Sequence, residues 1–161
     1  DYSLFKELSN DQSVKESLYA HSGDLLINSM GEGTLGRVHY FSGADRYLIV
    51  DSLMTICRSN RPAITMLLYF MFGSKYGSKT LQNMKTGSTG QTSLLTSTIR
   101  QIKFVYPSIS YLTNFYDMNK NSFILINSLR EKNQTLGKTR DLLLSRLISG
   151  RLDVEDLEMR V

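Results

Sequence analysis

Residues 23–43 read GDLLINSMGEGTLGRVHYFSG, and the residues after the glycines decide the fold. Gly31-Glu32-Gly33-Thr34-Leu35-Gly36, placed after the apolar run Leu25-Leu26-Ile27, spells G-x-G-x-x-G, the letters of a dinucleotide-binding turn. That fingerprint requires a strand, a tight glycine turn and then a helix whose N-terminus faces the pyrophosphate. The strand is there and the helix is not. After Gly36 come Arg37-Val38-His39-Tyr40-Phe41, then Ser42-Gly43-Ala44-Asp45, then Tyr47-Leu48-Ile49-Val50, which reads as strand, turn, strand. Asp51 stands where a ribose-binding acid is expected, yet no crossover helix fits between Gly36 and Tyr47. The glycines therefore predict a β-turn between two strands.

Outward from this stretch, Leu25–Asn28, Arg37–Tyr40 and Tyr47–Cys57 are predicted strands, the last interrupted near Asp51. Pro62 suits a first helical position, where a missing N–H costs nothing, and AITMLLYFMF runs on to Gly73 as a buried helix. Its Met and aromatic residues are read as core. Lys75, Lys79 and Lys85 surround a short helical patch that ends in the loop TGSTGQT, Thr86 to Thr92. QIKFVYP, residues 101–107, alternates like a half-buried strand and stops at Pro107. The expected class is α+β, with a mixed, strand-rich globular domain over residues 1–108.

From Ser110 to Ser149 there is no proline, a single glycine (Gly137), and apolar residues at helical intervals. Phe115, Met118, Leu125, Leu129, Leu136 and Leu143 follow a spacing of three and four, interrupted by Ser122, Lys132 and Thr139, which predicts a coiled-coil seam. Phe123, Ile126 and Leu147 widen the apolar surface. About forty residues at 1.5 Å each make a rod of roughly 60 Å, so residues 109–161 are expected to form a spacer helix that needs a partner helix. Gly150 is placed as its C-terminal cap, followed by an acidic tail.

Of 161 residues 41% are hydrophobic and 21% charged, an ordinary globular balance. One cysteine, Cys57, and two histidines, His21 and His39, are too few soft ligands for a structural zinc site. The longest apolar run, Ala63 to Phe72, is too short for a bilayer, and the single cysteine fits a reducing, cytoplasmic home. Net charge is +4, unevenly distributed. Residues 52–116 hold seven bases and no Asp or Glu, a stretch that attracts a polyanion or simply forms a solvated basic face.

No nucleophile triad or P-loop is present, so the chain reads as non-catalytic and without a metal or bound cofactor. Small residues in TGSTGQT let backbone approach a surface, hydroxyls can meet phosphates, and Gln91 can read an adenine edge. The same loop is equally a tight turn whose side chains cap neighbouring elements. Candidate polyanion contacts are Arg37, Arg58, Lys75, Lys79, Lys85, Ser88, Thr89 and Gln91.

The order GDLLINSMGEGTLGRVHYFSG, LIVDSLMTICRSN, a helix, TGSTGQTSLLTSTIRQIKFVYP, then a long helix ending TRDLLLSRLISGRLDVEDL closely resembles the specificity subunit of type I restriction–modification systems. The ending is the most specific part, since the family finishes a long helix on Leu-Leu-x-x-Leu-Ile-Ser-Gly, here Leu143-Leu144-Ser145-Arg146-Leu147-Ile148-Ser149-Gly150. The sequence departs from the family at Pro107-Ser108-Ile109-Ser110-Tyr111-Leu112, where Pro-Pro-Leu-x-x-Gln is usual, and at Ser145, often proline.

The resemblance implies one target recognition domain plus one spacer helix: the second half of a bacterial or archaeal subunit, with the start of the domain cut away. It implies recognition of one half of a split double-stranded DNA target. Separate modification subunits would methylate adenine with S-adenosylmethionine, and restriction subunits would join through the complex. A rod of roughly 60 Å suits half-sites one to two DNA turns of about 34 Å apart. In isolation the seam is expected to pair with a second copy as a dimer. The alternative is an interaction module whose helix does all the work, with no direct DNA readout.

Overall fold

A computed structural model describes residues 15–31, 33–43, 48–87 and 92–150. The protein is mixed α+β, built on a small antiparallel sheet of three strands, β1 (Leu25–Asn28), β2 (Val38–Tyr40) and β3 (Met54–Cys57), in the order β2-β1-β3. Four α-helices come after the sheet, α1 (Pro62–Gly73), α2 (Lys75–Asn83), α3 (Thr96–Arg100) and α4 (Ile109–Ile148). Strand, turn, antiparallel strand is thus the setting of the glycines, as the residues after Gly36 predict.

The central strand explains its own composition. Side chains alternate across a strand, and Leu25 and Ile27 face one core with Leu35, Phe72, Leu81, Leu94 and Ile99. Leu26 faces a second with Ala20, Phe41, Leu48 and Val50. A strand covered on both faces reads as a continuous apolar run rather than an alternating one. All three residues are at most 1% exposed.

Pro62 stands at the start of α1, as predicted. Ser74 ends that helix and begins the next: its N–H donates to the Phe70 carbonyl at 3.1 Å, and its Oγ accepts from the Gly77 N–H at 3.1 Å as the N-cap of α2. Gly77 makes the corner possible, because a methyl there would run into the Met71 carbonyl and Phe72 Cα.

Two local expectations are corrected. Residues 102–107 form no strand and join no regular element, with Ile102 packed on the first core and the Phe104 and Tyr106 rings 6.5 Å apart. The interruption near Asp51 is a turn, so only Met54–Cys57 joins the ladder, while Ile49 makes a single bridge to Tyr19. The short helix α3 had no sequence signal, being five residues rich in β-branched threonine.

The long helix spans Ile109–Ile148, and Gly150, with φ of +66°, donates its N–H to the Leu147 carbonyl. The molecule divides into two units, Asp1–Met118 and Asn119–Val161. The first ten residues of α4 belong to the first: Leu112 is buried, and Phe115 stands edge-on to Phe70 with ring centroids 5.5 Å apart. The acidic tail after Gly150 lies outside the described residues.

Candidate functional site

Three polar turns meet at one end of the sheet, and backbone hydrogen bonds tie them together. In the glycine turn, Gly36 donates to the Asn28 carbonyl at 2.8 Å and Asn28 donates to the Arg37 carbonyl at 2.8 Å, closing the β1–β2 connection. Gly31, Gly33 and Gly36 all have φ between +77° and +101°, a conformation that L side chains rarely adopt. The Asp51–Leu53 turn joins through Ser29, whose N–H donates to the Leu53 carbonyl at 2.8 Å. The third turn is clasped by Thr86 and Ser93, which exchange backbone bonds of 2.9 and 2.8 Å, while Leu94 donates to the Ser29 carbonyl. A hydroxyl contact of 2.6 Å between Ser29 and Thr55 reinforces the same corner.

An open concavity of about 360 Å³ lies here, with Asn28, Arg37, His39, Asp51, Leu53 and Met54 in its lining. Arg37 is exposed and forms no side-chain ion pair or hydrogen bond among the described residues. Asp51 holds its own turn, its Oδ1 accepting from the Leu53 N–H at 2.9 Å.

Helix α2 packs beside this corner. Gln82 Nε2 donates to the Leu35 carbonyl at 3.2 Å, and Gly36 lies against Leu81, where a Cβ would sit 3.3 Å from the Leu81 Cβ. Gly77 and Leu81 form the buried face; Lys75 and Lys79, one turn apart, are exposed on the opposite one. Lys85 is also exposed and directly precedes the Thr86–Ser93 clasp. Arg37, Lys75, Lys79 and Lys85 are therefore all exposed, but Arg37 opens on the sheet face of the concavity, whereas α2, with Lys75 and Lys79 on its outer side, packs on the other face. Ser88, Thr89 and Gln91, also candidates, lie outside the described residues.

Arg58 is placed differently. Its Nε and Nη2 donate to Asp24 at 2.9 and 2.8 Å, and Nη2 also donates to the Tyr19 carbonyl at 2.7 Å. The Asp24 carboxylate, 1% exposed, accepts the His21 N–H at 2.7 Å as well. A buried carboxylate needs such company, and no spacing rule reveals a pair separated by 34 positions. Arg58 thus serves as the counter-ion of the core, on the opposite strand end from the three turns.

Burial beside Asp24 raises two further groups. The Cys57 thiol is pushed up to about 11, first by desolvation and then by the Asp24 charge. The Tyr40 hydroxyl is raised well above its ordinary value by desolvation, by Tyr116, with which it hydrogen-bonds, and by Asp24. Both stay protonated at neutral pH and act as core.

The predicted seam divides in two. Phe115 is taken up against Phe70 within the first unit. Met118 is 80% exposed, and in the second unit Leu125, Leu129, Leu136 and Leu143 are each 42–65% exposed. Among the described residues, no cluster of His, Cys, Asp and Glu could hold a metal ion, and no helix is long and apolar enough to cross a membrane. Compared with known proteins, the chain matches no family model and no curated protein.

Proposed function

We propose that this chain is a DNA-recognition module, the specificity component of a type I restriction–modification complex, which grips one half of a split duplex target. The observation that carries this reading is the convergence of three polar turns on one sheet end, with Arg37 exposed in its concavity, Lys85 directly before the third turn, and Lys75 and Lys79 exposed on the neighbouring helix α2. Phosphate neutralisation by such cations supplies nonspecific affinity and makes it salt-sensitive. The ordered signature ending at Gly150 supports it independently. The module itself is non-catalytic: partner modification subunits methylate adenine with S-adenosylmethionine, and restriction subunits act through the assembled complex. Its working place is the bacterial or archaeal cytoplasm.

The test is duplex binding at several salt concentrations. Wild type binds with a steep salt dependence; Lys75→Glu, Lys79→Glu and Lys85→Glu together weaken binding at least tenfold and flatten the slope by about three phosphate contacts. Unchanged binding by the triple variant overturns the proposed surface.

A second reading is favoured by the exposed Leu129, Leu136 and Leu143: a coiled-coil interaction module, dimeric in isolation, without direct DNA readout. Changing these three to Lys separates the two. The DNA reading predicts loss of self-association with duplex contact retained; the interaction reading predicts no duplex contact before or after.

A further inference from the structure

We propose, resting on the DNA-recognition reading, that Asn28 and Arg37 read base edges while the lysines of α2 hold phosphates. Asn28 ends β1 and Arg37 directly precedes β2, and the two are joined by the Asn28 N–H to Arg37 carbonyl bond of 2.8 Å. They continue the sheet face of Leu26 and His39, two positions back on each strand. That face is apolar at one end, where Leu26 meets Phe41, Leu48 and Val50, and becomes polar and open where Asn28 and Arg37 line the concavity.

Three features favour bases over phosphates here. First, the backbone bonds from Gly36 to Asn28 and from Asn28 to Arg37, just past the last paired residues Ile27 and Val38, anchor both side chains on the sheet, the fixed footing that base reading needs. The Asn28 amide is turned by its Oδ1, which accepts the Met30 N–H at 3.3 Å. Second, Asn and Arg are the side chains whose forked groups match adenine and guanine in the major groove. Third, Asp51 lines the same concavity, and its carboxylate repels phosphate while being able to accept from the cytosine amino group. Leu53, about half exposed beside it, offers an apolar contact for a thymine methyl. The α2 lysines have none of this framing: they stand exposed on a helix, without a carboxylate neighbour on α2.

The experiment selects bound duplexes from a pool with a randomised central segment, using wild type, Arg37→Lys, Arg37→Ala, Asn28→Ala and the pair Lys75→Ala with Lys79→Ala. Circular dichroism confirms folding, and Arg37→Lys on an exposed side chain guards against failure of the Asn28 variant to fold. Wild type is expected to enrich a motif. Arg37→Lys and Arg37→Ala lose preference at one position, with affinity for the wild-type motif down roughly tenfold or more and binding to random duplex kept. The lysine pair keeps the motif and weakens every duplex alike. Three results overturn the proposal: Arg37→Lys selecting the wild-type motif, Arg37→Ala weakening all sequences equally with a flatter salt slope, or wild type binding duplexes without preference. Only a wild type that binds no duplex at all brings down the DNA-recognition reading as well.

Discussion

Residues 15–118 and residues 119–150 treat their apolar side chains in opposite ways. In the first unit Leu25, Ile27, Met66 and Leu81 are completely buried, and the sheet is covered on both faces. In the second, Leu125, Leu129 and Leu136 are half exposed or more, and no residue of α4 beyond Leu112 is buried. One unit closes its core from its own chain; the other displays an apolar face at heptad spacing. The same residue, leucine, is thus a buried core element in one unit and an exposed side chain in the other.

The largest effect that can break this comparison is a matched pair of truncations. Leu25→Ala should cost about 3–4 kcal/mol of unfolding free energy in a urea titration, whereas Leu129→Ala should stay within about 0.5 kcal/mol. Equal losses would mean that both leucines serve one core. Next comes the ion pair: Arg58→Ala leaves the Asp24 carboxylate buried without its partner, and should cost about 2–3 kcal/mol. Thermal melts that show no loss would return Arg58 to the candidates for phosphate contact.

Two of the helical glycines, Gly77 and Gly137, sharpen the contrast with opposite signs. Gly77→Ala forces a methyl against the Met71 carbonyl and should destabilise the first unit by about 2 kcal/mol or more. Gly137→Ala meets nothing within 4 Å and should raise helix stability by up to about 1 kcal/mol, visible in the far-ultraviolet dichroism melt. Alkaline pH acts on the core of the first unit. The Cys57 thiol is raised from 9.0 to about 11, so its contribution is complete below pH 9 and disappears as pH rises towards 11. That loss is at most about 3 kcal/mol by linkage. Cys57→Ala should remove this part of the pH dependence; the Tyr40 hydroxyl, also raised, adds a further decline above pH 10 that the variant keeps.

Much of this architecture is legible in the residues. Leu25–Asn28 is the observed β1, Pro62 opens α1, and the long helix begins and ends within one residue of the apolar periodicity. These are places where local chemistry and tertiary packing ask for the same thing. Gln101–Pro107 shows where they part. Its alternation is real, since Ile102 and Phe104 are half-buried and Lys103 and Val105 exposed, but alternation reports an extended chain with one side covered, not a partner for its hydrogen bonds. The Asp24–Arg58 pair and the Tyr40–Tyr116 contact were hidden for another reason: each joins distant positions through side chains that carry no periodic signal. At the candidate site the sequence singled out Arg37 and the lysines, but not Asn28, which reads as an ordinary strand end until its cross-strand neighbour is known.

The clasp between Thr86 and Ser93 is made by backbone N–H and carbonyl groups, which every residue except proline supplies in full, and the Ser29, Leu53 and Leu94 bonds that join the turns are of the same kind. The Thr86–Ser93 anchoring can therefore accept changes in the letters between its ends, and even in their number, at a closure cost that grows only slowly with length, whereas the first turn is bound to the positive φ of Gly31, Gly33 and Gly36. The sheet end thus joins a turn whose anchoring tolerates substitution to one that is tied to its glycines.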